Sequence, residues 1–336
     1  MNRNKKIVAA MIVCAAVLVA AVAMSLGNGI GYRYENADKY TVGGGTVEGT
    51  VRNLDVDWID GRVTVAYHQE PTVLVSEAAK RDLSDDMRLR WWLDGDTLRV
   101  RYAKAGAVRL NWNLQKELTL TLPEGADLGE ASLAATSGEL AIPAMKADSL
   151  KLRVTSGEIR ASAEAGAVES RMTSGDMDLN LRGQAREITA HATSGNIGIR
   201  ADAADKLDAS VTSGLVRIKA DCAGELKAAA TSGNLDIEAA EAGSVALKGT
   251  SAGVTVRLGK LDRLEVGVTS GDVKAFLPAA PGFRARVTTT SGSFNYDMSL
   301  TKQGSDYICG DGSAEVSIHA TSGDVWVGAA EQQVTP

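Results

Sequence analysis

A Thr-Ser-Gly triplet recurs through most of the chain, and its spacing constrains the fold more than any other feature. The intervals between successive threonines are 19, 18, 20, 19, 19, 19, 19, 21 and 31 residues. A repeat of this length indicates stacked units, each of which buries its apolar face against its neighbours. The ten copies begin at Thr136, Thr155, Thr173, Thr193, Thr212, Thr231, Thr250, Thr269, Thr290 and Thr321.

Apolar and polar residues alternate on both sides of each triplet. In the copy at Thr155, Leu150 and Val154 occupy apolar positions before the triplet, and Ile159 and Ala161 occupy apolar positions after it. The residues between these positions are mostly polar or small in all copies. An alternation with period two is typical of a strand that has one buried face. Each repeat therefore contains two strands.

The triplet itself is predicted to be a corner. The inward positions that flank it are five residues apart, and in a straight strand residues an odd number apart face opposite sides. Glycine supplies the unusual backbone conformation that such a corner needs. Ala252 replaces the glycine in one copy, so we expect an altered corner there. We also expect the corner hydroxyls to form ladders that satisfy backbone groups. The corner residues include Thr136, Ser137, Gly138, Thr193, Ser194, Gly195, Thr321, Ser322 and Gly323.

Two strands and two corners per repeat predict an all-β fold, a parallel β-helix with about 19 residues per turn. The repeats occupy residues 128–328, followed by a tail at 329–336. Residues 51–127 are strand-like without the repeat and are predicted to cap the solenoid. Within them Asp94-Gly95 indicates a hairpin, and Lys116 to Pro123 alternates as a strand. The long last interval places about twelve extra residues near 301–312, as a binding loop or a capping hairpin.

The N-terminus has the composition of a membrane anchor. Arg3, Lys5 and Lys6 precede an uncharged segment, residues 7–26, that is long enough to span a bilayer as one helix. Cations before the span predict a cytoplasmic N-terminus and an extracellular body. A cleaved signal peptide is the alternative, because Ala21-Val22-Ala23 resembles a cleavage site. We interpret residues 1–26 as an anchor and the Gly-rich residues 27–50 as a flexible linker.

Composition and repeat argue against several kinds of chemistry. The net charge is −6 without a basic run, so nucleic acid is not an expected partner. His191 stands three residues before Ser194, but serine recurs in every corner while histidine does not, so no catalytic residues are expected. One acidic or amide residue per corner is too few for Ca²⁺, and no metal or cofactor is expected. Cys222 and Cys309 lie several turns apart, which predicts no disulfide between them.

Large aromatic side chains are scarce, so those outside the regular core positions are the candidates for a binding surface. Aromatic residues make up only 4% of the chain. Exposed aromatic clusters often mark contact sites. The candidates are Trp326, Tyr307, Trp91, Trp92 and Trp112.

The motifs resemble those of a bacterial putative-adhesin domain family of unknown function. The resemblance rests on Ile59-Asp60-Gly61, on the strand TLTLPEG, and on the repeated segments ATSGELAI, VTSGEIRA, VTSGDVKA and HATSGDVWV. It covers roughly residues 50–328. It implies an exported or membrane-anchored component of the bacterial envelope, and it transfers no catalytic or ligand residues.

The sequence thus predicts a cell-surface β-solenoid that acts as a non-catalytic adhesion, binding or structural module. Its expected partner is an extracellular glycan or protein. Two alternatives remain open, a carbohydrate-active β-helix enzyme and an extracellular sensor in envelope-stress signalling.

Overall fold

The computed structural model describes residues 32–107 and 114–330, and its strands form one continuous all-β, solenoid-like body. Two short 3-10 turns, Ala37–Lys39 and Asp85–Met87, lie near the N-terminal end. The strands are β1 (Thr41–Val42), β2 (Gly45–Val47), β3 (Asn53–His68), β4 (Val73–Ala78), β5 (Arg90–Asp94), β6 (Thr97–Arg101), β7 (Glu117–Pro123), β8 (Asp127–Ile142), β9 (Lys146–Ser270), β10 (Val273–Leu277), β11 (Gly282–Ser291), β12 (Phe294–Tyr296), β13 (Thr301–Gln303), β14 (Asp306–Gly310), β15 (Ala314–Ser322) and β16 (Val325–Ala329).

Successive repeats pair in parallel, as the alternation predicts. In the pairing of β8 with β9, Ala131 lies beside Leu150 and Leu140 beside Ile159, an offset of 19 residues. Pairing continues through the corners, so β9 contains several turns of the chain. We call one turn a rung, the strand before its Thr-Ser-Gly corner part of the first sheet, and the strand after it part of the second sheet. Inward side chains of both sheets form one core from the cap to the last rung.

Corner glycines are required for two separate reasons. Their φ angles lie between +126° and +145°, a region that side chains other than glycine rarely adopt. In addition, the corners of neighbouring rungs touch through their backbones, so that a Cβ on Gly138 would lie 1.8 Å from the carbonyl oxygen of Gly61. Gly61 belongs to the Asp60-Gly61 corner of β3, which makes β3 the first full rung.

The corner at Ala252 is altered, which confirms the prediction. Asn36 and Gln115 are the described non-glycine residues with positive φ, so Ala252 does not adopt the corner conformation. Its methyl group is buried instead. Gly249 occupies an inward position that other copies fill with a larger side chain, and this leaves space for the methyl group of Ala252. A Cβ on Gly249 would lie 3.1 Å from the Cβ of Ala252.

The predicted hydroxyl ladders are absent. Within residues 32–107 and 114–330, the hydroxyls of the corner threonines and serines make no hydrogen bonds with one another. The backbone explains this difference, because the corners stay paired from rung to rung, with Ser137 beside Ser156 and Gly138 beside Gly157. The backbone groups therefore need no side-chain partners, and the hydroxyls are left to the solvent.

The described part of the predicted linker, residues 32–50, is folded against the cap, so its interpretation as a flexible spacer is wrong. β1 pairs with β5 and β2 pairs with β4, both antiparallel. Tyr32, Tyr40 and Val47 are buried, and the Tyr32 hydroxyl donates to Asp57. Glycine content suggested flexibility, but these apolar side chains cover the open end of the core.

A buried ion pair lies inside the N-terminal cap. The Lys116 ammonium is fully buried, 2.6 Å from the Glu77 carboxylate, and donates to the backbone carbonyls of Met87 and Tyr102. It also lies over the rings of Trp58 and Tyr102. Burial lowers the pKa of Lys116 to about 8, with Glu77 acting in the opposite direction. The Lys116 carbonyl contacts Gly61, so the cap continues the stack of corners.

Rungs at both ends are stacked out of chain order. At the N-terminal end, β6 and β7 lie outside β3, although β3 precedes them in the sequence and the next rung, β8, pairs on the other side of β3. At the C-terminal end, β15 lies between β9 and β11, and β16 lies between β10 and β12. The last rung of the chain is therefore inserted between two earlier ones.

The extra residues before the last corner form a hairpin. β13 and β14 pair antiparallel, and β14 continues the first sheet beside β11. The Asp94-Gly95 hairpin between β5 and β6 and the strand β7 are also as predicted. In the described residues, none of the helices is long or apolar enough to cross a membrane. The predicted anchor at residues 7–26 lies outside those residues, as does Trp112.

Candidate functional site

A long surface groove follows the corner between the two sheets. It has a volume of about 570 Å³ and crosses six adjacent rungs, from β3 into β9. With neighbouring strands about 4.8 Å apart, its length is about 24 Å. We call it the threonine groove. Its lining consists of Asp57, Ala134, Ala135, Thr136, Arg153, Val154, Thr155, Arg171, Met172, Thr173, His191, Ala192, Thr193, Ser210 and Thr212.

Threonine hydroxyls form one side of the groove. Each of five successive corners contributes the first residue of its triplet, and no hydrogen bond to the described residues occupies these hydroxyls. A hydroxyl can donate one hydrogen bond and accept two. The corners therefore present a row of free donors and acceptors at rung spacing.

Arginines form the facing side of the groove over two adjacent rungs. Arg153 and Arg171 share the carboxylate of Glu169, with N–O distances of 3.2 and 2.8 Å, and their side chains are 52% and 60% exposed. Partial burial acts to raise the pKa of Glu169, but hydrogen bonds and charge from the two arginines lower it overall. Glu169 therefore stays ionised and accepts from both guanidinium groups beside the groove.

His191 is paired with a hydroxyl, although not with the serine of its own triplet. Its Nδ1 lies 2.6 Å from the Ser210 hydroxyl on the next rung. His319 and Thr288 repeat the arrangement near the other end of the solenoid, with 2.8 Å between Nδ1 and the hydroxyl. The two pairs join the same outward position of neighbouring rungs. This repetition indicates a contact between rungs, because catalysis would also need an orienting carboxylate and an oxyanion hole.

The predicted aromatic candidates do not form one surface. Trp91 and Trp92 lie in the cap, where the Trp91 indole donates to the Gly43 carbonyl and Trp92 packs against Tyr40 and under Lys39. At the opposite end, Trp326 packs against Phe276. Also at that end, Tyr307 packs against Phe294 and Tyr296. The solenoid therefore separates Trp91 and Trp92 from Trp326 and Tyr307.

A second, smaller cavity lies in the cap beside Trp92. It has a volume of about 210 Å³ and is lined by Glu35, Asn36, Tyr40, Trp92, Asp94, Arg99 and Arg101. Its arginines are already paired, since both donate to Asp55. Its smaller volume makes the larger groove the better site for an extended ligand.

The described residues contain no cluster of three or more side chains suited to hold a metal ion. The acidic residues that follow the corner glycines make other contacts, as Glu139 does with Arg62 and Arg160. Cys222 is exposed and Cys309 is buried, and both are free thiols.

The arginines of the groove are the residues that the sequence interpretation missed. Arg153, Arg171 and His191 occupy the same outward position, two residues before the threonine, in three successive repeats. That run was visible in the aligned repeats. The run indicates a binding surface only if a groove lies beside it. Hydrophobic alternation does not predict that groove.

Taken together, the parallel rungs, stacked glycine corners and single core define an all-β solenoid-like protein with a polar lateral groove. The chain belongs to the Toastrack DUF4097 family, which matches residues 51–227 and 222–328. This confirms the family resemblance seen in the motifs. The search of curated proteins found no match.

Several solved bacterial structures are similar to this chain at low identity. A putative adhesin from Parabacteroides distasonis is 10% identical, with a TM-score of 0.48, over 70% of this chain and 97% of its own. One from Parabacteroides merdae is 12% identical, with a TM-score of 0.45, over 71% and 97%. One from Bacteroides fragilis is 14% identical, with a TM-score of 0.41, over 70% and 97%.

Proposed function

We propose that this chain is a non-catalytic adhesion or binding module of the bacterial envelope, and that its ligand is an extended polar polymer lying along the threonine groove. One observation carries the proposal: threonine hydroxyls that make no hydrogen bond to the described residues line the groove on five adjacent rungs, and two arginines that share one carboxylate line it in the middle. A repeating surface suits a repeating ligand, because each ligand unit meets the same hydroxyls one rung further on. Concave solenoid surfaces are well suited to extended ligands.

The proposal includes a position outside the cell membrane. Residues 7–26 would hold the chain in the bilayer as a single uncleaved span, with the solenoid on the extracellular side. Membrane fractionation of the full chain, with mass spectrometry of its N-terminus, tests this directly. Recovery of a soluble chain that begins after Ala23 would replace the anchor with a cleaved signal peptide.

Binding of a panel of envelope polysaccharides to the full chain in detergent tests the ligand class. Thr173→Trp would place a large side chain in the middle of the groove, and we expect it to weaken binding at least about tenfold, or about 1.4 kcal/mol. Thr255→Trp, on the outer face of the second sheet, is the matched control and should bind normally. Equal binding by both variants would move the site away from the groove, and turnover of a polysaccharide would favour the enzyme alternative.

A further inference from the structure

We propose that the threonine groove selects a polysaccharide strand that carries carboxylate groups, and that Arg153 and Arg171 contact those groups. This inference rests on the proposed function and deepens it by naming the chemical class of the polymer.

The charges that line the groove have one predominant sign. Arg153 and Arg171 occupy two successive rungs in the middle, whereas Asp57, the acidic residue in the lining, lies at one end. Asp57 also accepts a hydrogen bond from the Tyr32 hydroxyl at 3.1 Å. Two guanidinium groups share the one carboxylate of Glu169, so the middle of the groove keeps a net positive charge in a protein whose net charge is −6.

Both arginines keep most of their hydrogen-bonding capacity. Arg153 donates to Glu169 through Nη2 and Arg171 through Nε. A guanidinium carries five N–H donors in a planar fork that matches a carboxylate. Glu169 thus reduces the freedom of two long side chains, which lowers the entropy lost when they bind a ligand. It leaves donors on each for an anion in the groove.

The outer face of the second sheet shows the opposite arrangement. Arg160 there is bonded to Glu139 on one side and Glu158 on the other. Lys219 is paired with Glu238. Apart from Arg217 and Arg257, which share Asp236, these charges neutralise one another from rung to rung, so an anionic polymer has less reason to bind there.

A glycan fits the lining better than other polyanions do. Sugar hydroxyls can exchange hydrogen bonds with the row of threonine hydroxyls, and an extended polysaccharide advances along its axis by about one rung per sugar, with rungs about 4.8 Å apart. Single-stranded nucleic acid is usually held by aromatic side chains that stack on the bases. The lining of the groove contains no Phe, Tyr or Trp.

The test compares two polymers that have the same backbone, one with carboxylates and one with uncharged methyl esters. Polygalacturonate carries a carboxylate on each sugar, and its fully methyl-esterified form has the same backbone without the charge. The full chain in detergent should bind polygalacturonate at least about tenfold more tightly, a preference that added salt weakens. A glycerol phosphate polymer and a single-stranded oligonucleotide serve as further probes.

A pair of double variants assigns the preference to the groove. Arg153→Gln with Arg171→Gln should reduce polygalacturonate binding at least about tenfold and leave binding of the ester unchanged. Arg217→Gln with Arg257→Gln is the matched control, because those arginines also share one carboxylate, that of Asp236, on the opposite face. The control should retain the preference for the charged polymer.

The outcomes separate the inference from the proposed function. Equal binding of both polymers, weakened by Thr173→Trp, would overturn the preference for carboxylates and leave the groove as a polymer site. Tighter binding of the phosphate polymer or the oligonucleotide would overturn the carboxylated glycan as the ligand. Binding of none of the polymers in the panel would count against both proposals.

Discussion

At the scale of single residues, the corner glycine combines a conformational requirement with a steric one. Parity in the alternating sequence predicted where the chain must turn, and glycine content predicted an unusual φ. The sequence could not show that each corner presses on the carbonyl of the rung before it, because that contact joins residues about one repeat apart. At Ala252 the corner has lost its glycine, and the inward position beside it is the small residue Gly249.

Gly175→Ala should strongly destabilise the solenoid. The new Cβ would lie 1.8 Å from the carbonyl oxygen of Gly157 at a φ of +130°. The conformation alone costs about 1–2 kcal/mol, and the overlap adds to it. Gly267→Ala is the control, since a Cβ there meets nothing within 4 Å.

Urea denaturation followed by circular dichroism measures both variants. We expect a clearly lower midpoint for Gly175→Ala and a midpoint close to the parent for Gly267→Ala. Similar midpoints for the two would mean that the corners can separate without loss of pairing.

At the scale of elements, the cap contains a buried cation, Lys116, whose neighbours include aromatic side chains. Lys116 reads in the sequence as the first residue of an alternating strand, and nothing nearby marks it as buried. Its partner Glu77 and its aromatic neighbours Trp58 and Tyr102 come from three other segments. Such an arrangement depends on contacts between distant parts of the chain, which local patterns do not encode.

The stability of the cap should rise with pH above about 8. Burial lowers the pKa of Lys116 to about 8 from an ordinary value of 10.5. Between these values the unfolded chain binds more protons at this lysine than the folded chain does, so the free energy of unfolding increases with pH. Lys116→Met should remove this increase, while Lys227→Met, at an exposed position, should retain it.

Urea midpoints measured from about pH 7 to about pH 10 test this pH dependence. At the alkaline end Lys116 is neutral in the folded protein. A slope that is identical in the parent and in Lys116→Met would assign the pH dependence to other groups.

At the scale of the whole molecule, sequence patterns predicted the solenoid but not the order of its ends. The apolar alternation of a strand is the same whichever rung lies beside it. Alternation therefore cannot distinguish rungs that are stacked in chain order from a last rung that is inserted between two earlier ones. The 31-residue interval was the one sign of a departure. The sequence indicated a loop or hairpin there. In the structure this hairpin leads into the last rung, β15 and β16, which lies between two earlier rungs.

Two truncations test the inserted rung. In a chain that ends at residue 297, β11 and β12 lose their partners β14, β15 and β16. Residues 282–297 should then be detached and sensitive to protease. The melting temperature should equal that of a chain ending at residue 277, despite the additional rung. Protection of residues 282–297 would show instead that this rung moves beside β9 when the gap is empty.

The inserted rung also affects how the molecule responds to mechanical force. A solenoid stacked in chain order can be unwound from its end, breaking the hydrogen bonds of one rung after another. Here the last strands, β15 and β16, have a neighbouring strand on both sides, so pulling on the C-terminus loads two sets of hydrogen bonds together. If the other end is held in a membrane, the inserted rung would make the free end resistant to peeling when a bound polymer is under tension.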